Sequence, residues 1–175
     1  KKDKEAIAIG LENGIRHFAL SFTNCREDVS QMRALCGPDA TIICKVESRL
    51  ALTNFEDILE AADEILVDRG DLSRQVQIEK IPFLQRRIIS MARSRQKPVF
   101  VATNLLESMV TKKSPTRAEV NDVVSTLLMG ASGLVLAAET AIGKYPVESV
   151  DMIATLIEET EKWTEETKLV EMIDK

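Results

Sequence analysis

Aromatic residues make up only 4% of this chain, which has a single histidine, a single tryptophan and a single tyrosine. It has no basic run and no interleaving of basic with aromatic residues, and 28 acidic residues outnumber 23 basic ones. That balance gives no support to nucleic-acid binding. No apolar run is long enough to cross a bilayer, and no signal-peptide pattern opens the chain, so no membrane is expected as a partner. The three cysteines, Cys25, Cys36 and Cys44, are odd in number and lack CxxC spacing. They fit reduced thiols better than a disulfide framework or a zinc site, and the expected location is the cytoplasm. The AIGKY segment holds a Gly-Lys pair without the spacing of a phosphate-binding P-loop, which removes that reading. His17 opens an apolar segment with no nameable partner, so packing is its expected role.

What is present is rhythm. Five apolar segments, HFALSF (17–22), TIICKV (41–46), EILV (64–67), PVFVAT (98–103) and GLVLAA (133–138), are each followed by helical periodicity. Near-continuous apolar strands alternating with helices predict an α/β fold built on a parallel sheet covered on both faces. Thr53 with Glu56, and Thr116 with Glu119, have the spacing of capping boxes and predict helix starts. A long helix is expected from Glu79 to about Arg95, burying Phe83, Leu84, Ile88 and Met91. A last helix is expected from Pro146, with Val147, Val150, Ile153, Leu156 and Ile157 turned inward. The predicted division is a domain over 1–163 and a charged tail over 164–175. The chain starts at Lys1 without a methionine and already in a helical pattern, which suggests a piece of a longer polypeptide.

The polar residues fall at strand ends. Lys45 and Glu47 close the second segment, and their spacing of two puts both on one side of a strand while Cys44 and Val46 face the other. Asp68, Arg69, Gly70 and Asp71 close the third, Thr103 and Asn104 the fourth, and Glu139 and Thr140 the fifth. Each has a plain structural reading: Lys45–Glu47 a rim ion pair, Asp71 a helix cap, Thr103 a common strand residue, Glu139 a helix-start acid. Together they occupy one end of successive parallel strands, where α/β sites are built. Glu47 and Asp71 supply hard oxygen donors for Mg²⁺ or Mn²⁺. Lys45 can neutralise a phosphoryl group or an enolate oxygen, and Gly70 lets backbone N–H groups approach an anion. Such a set suits phosphoryl transfer or enolate chemistry.

The run IICKVES resembles the active-site signature of pyruvate kinases, a strand ending in lysine, a hydrophobe and glutamate. ILVDRGDL, VATNLLESMVTKKSPTRAEVNDV and LAAETAIGKYPVESV resemble further blocks of that family in order, as do ENGIRHFALSF and FEDILEAAD. The resemblance covers about residues 5 to 163. It implies the latter part of a (β/α)8 barrel, with five βα units of the TIM type, and transfer of a phosphoryl group from phosphoenolpyruvate to ADP. Lys45 would then be the lysine of phosphoryl transfer, Glu47 and Asp71 the metal carboxylates, and Arg69, Gly70 and Asp71 the substrate-carboxylate segment. Thr103 would be the threonine beside the substrate. Mg²⁺ or Mn²⁺ is implied, and K⁺ with ligands outside this segment. The chain departs from the family at Leu50, Asp68, Ser73, Asn104, Ala137 and Ala138. A homo-oligomer, or completion by the missing barrel strands, is expected, and the isolated segment is not expected to act as a kinase alone. Two alternatives stay open: a related barrel acting on another enolate or 2-oxo acid, and a non-catalytic scaffold.

Overall fold

The computed structural model describes residues 2–164 and 166–173. Two compact units follow one another, 1–102 and 103–175. In the first, α1 (Lys2–Glu12) precedes β1 (His17–Leu20), α2 (Arg26–Cys36) and β2 (Thr41–Val46). Two short helices, α3 (Arg49–Thr53) and α4 (Phe55–Ala61), lead to β3 (Glu64–Asp68), which passes straight into α5 (Arg69–Gln75). A single 3₁₀ turn (Ile78–Lys80) opens α6 (Ile81–Ser94), and β4 (Val99–Ala102) completes the unit.

The four strands of this unit pair in parallel in chain order. Thr41 stands opposite His17, Ile65 opposite Cys44, and Val101 opposite Val67. Ile42, Cys44, Val46, Ile65 and Val67 are sealed from solvent, as a sheet covered by crossover helices requires. Along β2 buried residues alternate with half-buried ones, so Ile43 and Lys45 share the side away from Cys44. Burial pushes the Cys44 thiol up to about 11, which makes it an inert packed hydrophobe.

In the second unit a 3₁₀ turn (Glu107–Val110) is followed by α7 (Arg117–Leu128), β5 (Gly133–Val135) and α8 (Ala138–Ala141). The helices α9 (Pro146–Lys162) and α10 (Leu169–Ile173) are the last elements among the described residues. Here α7 packs on α9. Their core is Leu105, Leu106, Met109, Val123, Ile153 and Leu156, each of the larger side chains contributing about 1.5–3 kcal/mol by leaving water. Thr116 caps α7 in the expected box, and Pro146 is the first residue of α9. The residues described from 166 onward are mostly exposed, while Glu165, Asp174 and Lys175 of the expected tail lie outside the described residues.

Local expectations fail at three points. Thr53 does not cap a helix: it ends α3, and its hydroxyl donates to the Arg49 carbonyl. The helix expected there, α4, opens at Asn54 with no side-chain cap, while Ser48 caps the preceding α3, its side chain accepting from the Ala51 N–H. Phe83 is 70% exposed, because α6 turns Ile81, Gln85, Ile88, Ile89 and Ala92 inward instead. Val147 and Val150 also face solvent, and α9 buries Ser149, Ile153 and Leu156, the i, i+4, i+7 face.

Candidate active site

β2 ends at Val46, and the next residue, Glu47, has a side chain only 1% exposed. Two groups hold its carboxylate. The backbone N–H of Phe22 donates to Oε2 at 2.5 Å, and the Lys45 ammonium lies 2.5 Å from Oε1. Oε1 is thus met by the ammonium and Oε2 by the backbone N–H. Phe22 reaches this position with φ of +49°, a left-handed conformation uncommon in a bulky residue, and it is half exposed.

Asp68 and Asp71 come from the β3–α5 junction. Asp68, the last strand residue, sends Oδ2 to within 3.3 Å of the Lys45 ammonium. Its Oδ1 accepts the Asp71 N–H at 3.4 Å, so the same carboxylate caps α5. Arg69, Gly70 and Asp71 form the first turn of α5, whose N–H groups have no intrahelical carbonyl to bond. The Arg69 guanidinium reaches the buried Gln85 Oε1 at 3.5 Å. Arg74, 81% exposed, stands 3.5 Å from Asp71. One oxygen from each of Glu47, Asp68 and Asp71 lies within 4.8 Å of the other two.

Lys45 is the cation of this group. Burial alone would lower its pKa, but hydrogen bonding and charge from Glu47, then Asp68, outweigh that and hold it raised. It therefore stays a full positive charge at neutral pH. The donor set tests well for a hard divalent ion. Oxygen donors from three carboxylates, one of them the sealed Glu47, lie close together, and hard oxygen ligands are what such an ion takes.

The second unit places Thr103 and Asn104 in consecutive left-handed conformations, at φ of +77° and +56°. They line a pocket of about 380 Å³ with Glu107, Ala137, Ala138 and Glu139. Glu139 is buried and clips this pocket together, accepting the Leu106 N–H at 3.0 Å and the Ala137 N–H at 2.9 Å. A larger cleft in the first unit, about 480 Å³ beside Asn54, Arg87 and Met91, contains none of the strand-end residues. Volume is a poorer guide here than chemistry.

The structure thus brings together Lys45, Glu47, Asp71 and the Arg69–Gly70 turn. Phe22 has no sequence signal, since its part is a backbone N–H. Asp68 was legible as one of the polar residues closing the third segment and as a departure from the family pattern. Leu50, another departure, sits 54% exposed on α3.

Parallel strands in chain order, joined by crossover helices, form a βα architecture with a charged cluster at the strand ends, the place where barrels built of such units carry their sites. The chain belongs to the pyruvate kinase family: the family model described as pyruvate kinase, barrel domain, matches residues 1–150. A pyruvate kinase of Agrobacterium vitis is 44% identical over 161 residues, covering 92% of this chain and 33% of that protein. One from Thermotoga maritima is 39% identical over 173 residues, covering 97% of this chain and 37% of the relative. One from Thermococcus litoralis is 41% identical over 167 residues, with coverages of 94% and 35%. The chain spans about a third of the length of these relatives.

Proposed function

We propose that this chain carries part of the catalytic barrel of a pyruvate kinase, over residues 1–163 with a charged tail at 164–175. The reaction moves the phosphoryl group of phosphoenolpyruvate to ADP, giving pyruvate and ATP, as a cytoplasmic step of glycolysis. The observation that carries this reading is the Lys45 ammonium held 2.5 Å from buried Glu47, in one cluster with Asp71. Homo-oligomerisation, or completion by further barrel strands, belongs to the same proposal.

In the reaction the enol-phosphate P–O bond breaks and a new P–O bond forms to the terminal oxygen of ADP. Lys45 supports the charge on the phosphoryl oxygens and on the enolate oxygen left behind. Its ion pairs hold it protonated, so it acts as a fixed charge and not as a base. Glu47 and Asp71 would hold Mg²⁺ or Mn²⁺. When bound, that ion neutralises phosphoryl and enolate charge. The Arg69–Asp71 turn is assigned to the substrate carboxylate, with the N–H groups of Arg69 and Gly70 as its donors, since the Asp71 N–H goes to the Asp68 cap. Thr103 is assigned the side from which the enolate carbon gains its proton, and K⁺ is assigned to ligands outside the chain.

The test is ADP-dependent pyruvate formation by the full-length protein. Lys45→Met is expected to lower kcat at least 100-fold with the fold intact. Turnover that survives this change, or an absence of ADP-dependent turnover in the unaltered protein, would refute the assignment.

A further inference from the structure

Thr103 and Asn104 leave β4 with positive φ, +77° and +56°. A β-branched residue such as Thr103 rarely adopts that geometry, and it persists only where the surroundings over-determine it. Part of that hold comes from Glu139, a residue 1% exposed. Its Oε1 accepts the Leu106 N–H at 3.0 Å and its Oε2 the Ala137 N–H at 2.9 Å. One buried carboxylate thus fastens the segment after β4 to the segment after β5. The Thr103 N–H adds a long contact of 3.5 Å to the Val135 carbonyl.

The fastening leaves little slack on either side. Leu105 and Leu106, next along the first segment, are sealed in the core of this unit. On the other side a Cβ at Gly143 would stand 2.1 Å from the Glu139 carbonyl oxygen, so the backbone there is closely packed. Thr103, Asn104 and Glu139 also line the same pocket of about 380 Å³. Both oxygens of Glu139 are engaged by backbone N–H groups, which suits it to hold this wall of the pocket. The Thr103 side chain is the group whose place depends on that hold.

We propose that Glu139 is a positioning residue for proton transfer at C3 of the enolate, holding Thr103 in its left-handed conformation and so setting where its hydroxyl stands. The inference rests on the role given to Thr103 in the proposed function. Losing either Glu139 bond lets the segment relax toward the ordinary right-handed region, which swings the hydroxyl away. Proton transfer tolerates little of this, because donor and carbon must meet in a narrow range of distance and direction. The phosphate and carboxylate of the substrate are assigned to other residues. Chemistry should therefore suffer while affinity for phosphoenolpyruvate is kept.

The test follows exchange of hydrogen for deuterium at C3 of pyruvate in heavy water by NMR, using the full-length protein with Mn²⁺. The kcat and KM for phosphoenolpyruvate and the melting temperature are measured beside it. Thr103→Ala removes the hydroxyl and is expected to slow exchange about 100-fold. Glu139→Gln keeps the shape but can accept only one of the two N–H groups. It is expected to slow exchange and kcat about 10-fold or more, with KM kept within about 2-fold. The double variant should exchange no more slowly than Thr103→Ala alone, since Glu139 acts through that hydroxyl. Wild-type exchange in Glu139→Gln, losses that multiply in the double variant, or a raised KM with unchanged kcat would each overturn the role of Glu139. A lowered melting temperature with wild-type exchange would mark Glu139 as a structural clip alone. Unchanged exchange in Thr103→Ala would overturn the assignment of Thr103, and no exchange in the unaltered protein would refute the reaction itself. If Glu139→Gln does not fold, Glu139→Asp, which keeps the charge and shortens the reach, is read in the same way.

Discussion

The backbone N–H of Phe22 and the carboxylate of Glu47 are joined across 25 residues of sequence by a 2.5 Å hydrogen bond. The bond ties the end of β1 to the end of β2. It also fixes which oxygen of Glu47 remains for Lys45.

Loss of that carboxylate has two costs. Glu47→Ala strips a buried acceptor from the Phe22 N–H and leaves the Lys45 ammonium to Asp68. It is expected to destabilise the protein by about 3 kcal/mol, the usual cost of breaking a buried pair from one side. Glu47→Gln keeps an acceptor for Phe22 and should cost about half as much. Urea unfolding midpoints of the two variants check the order. Equal losses would mean that the Phe22 bond contributes nothing.

Acid sensitivity is expected at a different place. Glu119 accepts from the Ser108 N–H and hydroxyl, both at 2.6 Å, and from the Thr116 N–H at 2.7 Å. Burial alone would raise its pKa, but these bonds, those from Ser108 first, hold it below the ordinary 4.5. A depressed carboxylate contributes stability that is complete above its unfolded value and disappears as pH falls through the folded one. The stability difference between the protein and Glu119→Gln should therefore be flat above about pH 5, on the order of 1–2 kcal/mol, and shrink below 4.5. Thermal melts of both proteins from pH 3 to 8 measure it. A difference that persists unchanged to pH 3 would contradict the assignment.

Gly143, in the AIGKY segment, has a packing role. A Cβ there would stand 2.1 Å from the carbonyl oxygen of Glu139, whose side chain clips the Thr103 pocket. Gly143→Ala should force α8 to shift and cost about 2 kcal/mol. A lowered melting temperature, with Lys144→Ala as a neutral companion, is the expected result.

The sequence carried much of this. TIICKV is a strand at its stated bounds because alternating burial and a charged terminus both point to one edge of a covered sheet. The Thr116–Glu119 box was legible because capping is local, complete within four residues. Thr53 misled because it is the last residue of the short helix α3, which Ser48 caps, and α4 then opens at Asn54 with no side-chain cap. Phe83 looked like core by residue type, while the face of α6 that meets the sheet was fixed by partners far along the chain. Phe22 could not be found at all, since its contribution depends on a left-handed turn and a distant acceptor.

The passage from Asp68 to Arg69, with no loop between β3 and α5, has a consequence for how this corner can change. Most barrel sites diverge by lengthening or shortening the segments after their strands. Here an inserted or deleted residue would rotate Asp71 about the helix axis by roughly 100° and carry it out of the cluster. The corner is consequently closed to that route, and selection can retune it only by exchanging side chains on a fixed frame. An aspartate written at position 68 is a change of that kind.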